Sequence, residues 1–138
     1  MEDEIERMAA EAVDLAKAMN LSFDYSEKSI PAVEKALENV SEYLEDIDED
    51  AQELTAQRFG CYLLMVGFKT FGGQFLWHEE RDQPVLVVGE PECRIAMITW
   101  DRVAGRLKGD KADSIPFFWQ GFAERARARE PGTDVLFV

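Results

Sequence analysis

The spacing of apolar residues changes at Gly72-Gly73, and this change constrains the fold more than any other feature of the chain. Before the glycine pair, apolar side chains recur every three or four residues, as in amphipathic helices. After it come three short β-type runs, separated by turns of a few residues, which favour an antiparallel meander. The sequence therefore predicts an α+β fold, in which N-terminal helices pack on one face of a small, mostly antiparallel sheet, with C-terminal helices after it.

Three helices are predicted before the glycine pair. The first covers residues 3–19. The second begins after Ser29, whose hydroxyl we expect to cap it, with Pro31 in the first turn, where a missing N–H has no cost. The third runs from about Ala51 to Gly72, where glycine can take the left-handed conformation that ends a helix.

The second half of the chain predicts strands and two further helices. One helix begins near Asp101, and Ser114 is expected to cap the other. No repeat or low-complexity linker interrupts the sequence, so residues 1–138 are expected to form a single domain. The expected strands cover residues 74–78, 84–88 and 94–98, with 135–138 as an edge strand.

The net charge of −13 lies entirely in the first part of the chain. Residues 1–57 hold 17 acidic and 4 basic side chains, whereas residues 58–138 hold 11 of each. Such a field repels nucleic acid and anionic membranes and attracts basic surfaces. We therefore expect a basic protein partner, and neither nucleic acid nor a membrane. The alternative is a solvated face that only promotes solubility.

Seven carboxylates lie where the second helix ends and the third begins, and they are the candidate partner-binding residues. We expect them to converge on one side of the molecule. Their alternate spacing resembles the start of an EF-hand loop, but Ala51 and Gln57 replace the glycine and glutamate that close such a loop. No calcium site and no cofactor are therefore expected. The seven residues are Glu42, Glu45, Asp46, Asp48, Glu49, Asp50 and Glu53.

The sequence carries no catalytic constellation. Cys61 lies on an apolar helix, where burial should raise the pKa of its thiol and make it a poor nucleophile. His78 is the single histidine and is expected to be an exposed strand-end residue. An enzyme would need a cleft carboxylate or thiol with a perturbed pKa. The prediction is a protein without catalytic residues.

Cysteine content and the first residues favour a cytoplasmic location. Cys61 and Cys93 could form one disulfide at most, whereas small secreted domains usually carry several, so both are expected to be free thiols. Residues 2–4 are acidic, in contrast to the basic start of a secretory leader.

Aromatic residues concentrate in the second half of the chain, and most are expected in the core. Phe117, Phe118 and Trp119 are consecutive, and three adjacent helical positions cannot all face one core. At least one of the three is expected to reach the surface.

Several short motifs, taken in order, resemble a family of small acidic bacterial domains of unknown function. An extended segment with Asp-x-Ser character (23–26, FDYS) precedes a helix, and a helical GCYL run (60–63) leads into FGGQFLW (71–77) and PVLV (84–87). The resemblance spans roughly residues 20–120, and Leu64-Met65 stands where that family has Gly-Glu. It implies a toxin-immunity or accessory protein, and it assigns no functional residues.

These observations favour a non-catalytic acidic binding protein that docks on a basic protein surface, with an immunity protein that neutralises a toxin as the sharpest version. The alternative is a housekeeping accessory or homo-oligomeric domain, whose contacts come from the aromatic half while the acidic face only solubilises. Salt-sensitive binding to a different protein distinguishes the two.

Overall fold

Five α-helices and one four-stranded sheet form the α+β fold that the sequence predicts, in a computed structural model that describes residues 1–138. Short 3-10 turns lie at Glu27–Ser29, Leu44–Asp46 and Lys111–Asp113. The helices are α1 (Glu2–Ala18), α2 (Ile30–Ser41), α3 (Glu49–Phe71), α4 (Trp100–Leu107) and α5 (Ile115–Ala128). The strands are β1 (Gln74–His78), β2 (Gln83–Val88), β3 (Arg94–Met97) and β4 (Asp134–Phe137).

The sheet has the order β1-β2-β3-β4, and its first three strands form the predicted antiparallel meander. The predicted edge strand is confirmed as β4, but it pairs in parallel with β3, in the register Ile95 to Val135 and Met97 to Phe137. The chain passes through α4 and α5 between these strands, and such a long crossover allows a parallel pairing. The sheet is therefore mixed, with two antiparallel pairings and one parallel pairing.

The helices pack on one face of the sheet. A Cβ built on Gly67 of α3 would lie 2.7 Å from Cε of Met97 and 2.8 Å from Cδ2 of Leu86. The backbone of α3 therefore packs directly against side chains of the sheet. The opposite side chains of the two central strands form a small cluster that is separate from the main core. That cluster contains Val85, Val87, Ala96 and Ile98.

α1 covers the side of α3 that faces away from the sheet. The Cys61 thiol lies 4.0 Å from the sulfur of Met8, and Nε of Arg58 contacts Oε1 of Glu11 at 3.1 Å. These two contacts run in opposite directions along the chain, so α1 and α3 are antiparallel. No helix of the protein combines the length and the apolar character that crossing a membrane requires.

The ends of α2 and α3 differ in part from the prediction. Ser29 precedes α2 as expected, but its hydroxyl donates to the Ser26 carbonyl and contacts the Tyr62 hydroxyl, so it does not cap the helix. α3 begins two residues before Ala51, because Oδ1 of Asp48 accepts the Ala51 N–H at 2.8 Å and caps the helix. Gly72, at a φ of 75°, ends α3 as predicted.

Candidate functional site

A groove of about 540 Å³ lies between the first half of α3, the β1–β2 hairpin and α4. Its α3 wall carries Glu49, Glu53 and Gln57, which are spaced four residues apart and therefore share one face of the helix. The opposite wall is formed by Asp101 and Ala104 on α4 and by Lys108, the residue that follows α4. This volume is within the range of about 300–1,000 Å³ that is typical of ligand sites.

Two tryptophans from different elements meet in this groove. Trp77 at the end of β1 and Trp100 at the start of α4 are perpendicular, with ring centroids 6.2 Å apart and an interplanar angle of 84°. Trp77 is 41% exposed, and its indole N–H donates to Oδ1 of Asp82 at 3.2 Å. Asp82 thereby orients the ring, and an exposed aromatic surface remains available for a ligand.

Trp100 is fixed from two directions. Its backbone N–H donates to Oε1 of the buried Gln83 at 3.0 Å, which ties the start of α4 to β2. Its ring lies against Gly60 of α3, where an added Cβ would come within 2.6 Å of Cδ1. The neighbouring Thr99 hydroxyl donates to the Gly60 carbonyl at 2.7 Å. The tryptophan side of the groove is therefore preformed.

Acidic side chains predominate along the groove. The charged lining residues are four carboxylates (Glu49, Glu53, Asp82, Asp101) and two cations (Arg81, Lys108). Arg81 and Asp101 neutralise each other, since Nη1 lies 3.1 Å from Oδ2. The side chains of Glu49 and Glu53 form no ion pair or hydrogen bond with the rest of the chain. The α3 wall therefore carries two unpaired carboxylates in the same groove as an exposed indole.

All seven carboxylates predicted to bind a partner are exposed, but they do not share one role. Glu49 and Glu53 line the groove, and Asp48 caps α3. The remaining four are spread along the α2–α3 connection: Glu42 follows α2, Glu45 and Asp46 lie in the 3-10 turn, and Asp50 is in the first turn of α3. No three carboxylate, histidine or cysteine side chains are grouped so that they could hold a metal ion.

Cys61 lies beneath the groove and is not joined to His78. Burial raises the pKa of the Cys61 thiol to about 11, which confirms the predicted direction. The buried Trp100 indole N–H has no hydrogen-bond partner, and its nearness to the Cys61 thiol opposes this rise in pKa only in part. His78 is half-buried, where an exposed position was expected, and its Nδ1 accepts the Arg81 N–H at 3.1 Å within the hairpin turn.

Sequence reasoning identified two of the groove residues and missed its tryptophans. A signal for them existed in the predicted strands. In a three-stranded antiparallel meander, the end of the first strand, the start of the second and the end of the third lie at the same end of the sheet. Trp77, Gln83 and Trp100 occupy these three places. The strand pattern does not show that α3 lies across that end of the sheet.

Comparison of the chain with protein-family models, with curated proteins and with solved structures gives no match.

Proposed function

We propose that the protein is a non-catalytic acidic binding protein of the cytoplasm that docks on a basic protein surface, and that the groove is part of the contact. The observation that carries the proposal is that the unpaired carboxylates of Glu49 and Glu53 and the exposed Trp77 line one groove. In its most specific form, the proposal is that the partner is a toxin whose basic surface this protein covers.

The two kinds of residue supply different parts of the binding energy. Exposed carboxylates steer a basic partner and raise the association rate, mainly at low salt. A tryptophan that is half-exposed before binding and covered afterwards is typical of residues that dominate the affinity of an interface. The adjoining acids of the α2–α3 connection extend the negative surface beyond the groove. The two buried, free cysteines agree with a reducing compartment.

The test is a comparison of two variants with equal charge changes. The site variant neutralises four exposed carboxylates at the groove and the α2–α3 connection, and leaves the helix cap Asp48 intact. The control neutralises four exposed carboxylates at the start of α1, roughly 20 Å away along α3. The site variant changes Glu45, Asp46, Glu49 and Glu53 to their amides, and the control does the same to Glu2, Asp3, Glu4 and Glu6.

A partner captured from the source cells is purified and its binding to each variant is measured at low and high salt. The site variant should associate at least about tenfold more slowly at low salt, and the control should stay near the wild type. If both variants lose the same association rate, the effect depends only on net charge, and the proposal is refuted.

A homo-oligomeric accessory domain is the second candidate, and one observation favours it. Phe117 at the start of α5 is 75% exposed, which confirms that the aromatic run reaches the surface. On the outer face of the sheet, Leu76, Leu136 and Val138 are also exposed around the small apolar cluster. Sedimentation should then show a salt-insensitive dimer that is lost in Phe117→Asp or Leu136→Asp.

A further inference from the structure

We propose that the groove receives an arginine side chain of the basic partner, with the guanidinium between the carboxylates of Glu49 and Glu53 and the exposed face of Trp77. This inference rests on the proposed function, because it specifies the chemistry of the partner at the same surface. The groove is large enough for a side chain together with its flanking backbone.

The lining of the groove favours a flat cation over other ligands. A guanidinium stacks on an indole, forms two parallel hydrogen bonds to a carboxylate and is more weakly hydrated than an ammonium group. Glu49 and Glu53 provide carboxylates on one wall, and Trp77 provides the aromatic face. A neutral apolar side chain would leave the carboxylates unused, and an anion would be repelled by them.

The same protein already uses these contacts elsewhere. The guanidinium carbon of Arg102 lies 5.1 Å from the ring centroid of Phe118, and that of Arg127 lies 5.2 Å from the centroid of Phe71. At the rim of the groove, Arg81 is held by Asp101. The only unpaired cation of the lining is Lys108 on the α4 wall, so the incoming guanidinium is expected on the α3 side.

Three short peptides test the inference on the full chain. Acetyl-Gly-X-Gly-amide is titrated with X as arginine, lysine or citrulline, and the indole N–H signals of the three tryptophans are followed by NMR. Trp77→Phe assigns the Trp77 signal, and the buried Trp119 is the internal reference. Citrulline keeps the shape of arginine without its charge, and lysine keeps the charge without the planar group.

The arginine peptide should shift the Trp77 signal and leave Trp119 unchanged, with an affinity at least about fivefold above that for lysine and citrulline. Glu49→Gln with Glu53→Gln should weaken this binding at least fivefold, whereas Glu2→Gln with Glu4→Gln should have no effect. Trp77→Ala should weaken it equally, and binding to that variant is followed by the indole signal of Trp100, which also lines the groove. Both glutamates are exposed, so their variants are expected to fold, and melting temperatures check this.

Four results would overturn the inference. Equal binding of arginine and lysine would show a site for any cation, and equal binding of citrulline would show an apolar contact. A shift of Trp77 that grows with protein concentration in the absence of peptide would show that a second copy of the chain occupies the groove.

If the peptides leave Trp77 unchanged while a purified basic partner still depends on the acidic residues, the docking function stands and only the arginine site fails. If arginine binds while no partner discriminates the site variant from its control, the docking function fails instead.

Discussion

Nε of Arg106 in α4 donates to Oε2 of Glu34 in α2 at 2.6 Å, and Arg106 is only 3% exposed. The other oxygen of the same carboxylate accepts the N–H of Ile115 at the start of α5, at 3.0 Å. One carboxylate therefore joins three helices. Glu34 is half-buried because α4 and α5 cover this part of α2, whereas Glu38, one turn later, is exposed.

Removing this carboxylate should destabilise the protein strongly. Glu34→Ala leaves a buried guanidinium without its counterion and the Ile115 N–H without an acceptor, so we expect a loss of about 3 kcal/mol in the free energy of unfolding. Glu34→Gln keeps an oxygen acceptor and should lose less. Glu38→Gln is the control, since its oxygen lies 4.0 Å from Arg106 and its side chain is 51% exposed. Urea unfolding measures all three, and a loss below about 1 kcal/mol for Glu34→Ala would contradict this account.

Gly60→Ala links the packing of α3 to the groove. The added methyl group would lie 2.6 Å from Cδ1 of Trp100, so the ring must move, at a cost of about 1–3 kcal/mol. The Trp100 indole should then shift within the groove and alter its contact with Trp77. Gly67→Ala introduces a similar clash against the sheet and leaves the groove intact. NMR signals of Trp77 should change in the first variant only.

The Cys61 thiol should make stability fall at high pH. Its pKa is about 11 in the folded protein against 9.0 for an ordinary thiol, so the fold favours the protonated form. This contribution is complete below pH 9 and is lost as the pH rises through 11, for a total of about 3 kcal/mol. Cys61→Ala should flatten the decline between pH 9 and 10.

A variant of Tyr62 distinguishes the titration of the Cys61 thiol from that of the neighbouring phenol. Burial also raises the pKa of the Tyr62 phenol above its ordinary value of 10.0, so tyrosine adds its own loss of stability only above pH 10. Tyr62→Phe should therefore keep the decline between pH 9 and 10 that Cys61→Ala removes. If both variants retain the wild-type slope in that interval, thiol burial does not control it.

Most of the elements could be predicted from the sequence, because each carries a local signal. The strand at residues 74–78 is confirmed at both ends, and Gly72 ends α3 as predicted, with a positive φ of 75° but not in the left-handed helical conformation. The parallel pairing of β4 has no local signal, since it depends on where α5 returns the chain. Serine is a residue type that commonly caps helices, but the hydroxyl of Ser29 contacts the buried Tyr62 hydroxyl instead of an N–H group of α2.

The candidate site was less predictable than the fold. Charge density identified Glu49 and Glu53 among seven similar acids, but nothing in their spacing separates them from Asp50 or Asp46. Their role depends on which side of α3 faces α4, and that is decided by tertiary packing. Trp77 and Trp100 were assigned no joint role, because their contact arises only when the hairpin and α4 meet α3.

The acids of the α2–α3 connection should have opposite effects on stability. Asp48 caps α3, so Asp48→Ala should lose about 1 kcal/mol, whereas Asp48→Asn keeps the acceptor for the Ala51 N–H and should be nearly neutral. Glu45 and Asp46 are exposed and form no ion pair, in a region crowded with carboxylates. Changing both to their amides should raise the free energy of unfolding by a few tenths of a kcal/mol at low salt, and less at high salt, because added salt already screens the repulsion.

Stability and binding measured on that double variant decide what the charge density is for. If Glu45 and Asp46 contribute to docking, the variant should gain stability while its association with a basic partner slows at low salt. The Asp48→Ala variant should show the reverse pattern, since it removes one charge as well as a helix cap and should lose more stability than association rate. A double variant that gains stability with an unchanged association rate would show that these two acids only solubilise the protein, and would confine the binding surface to the groove at Glu49, Glu53 and Trp77.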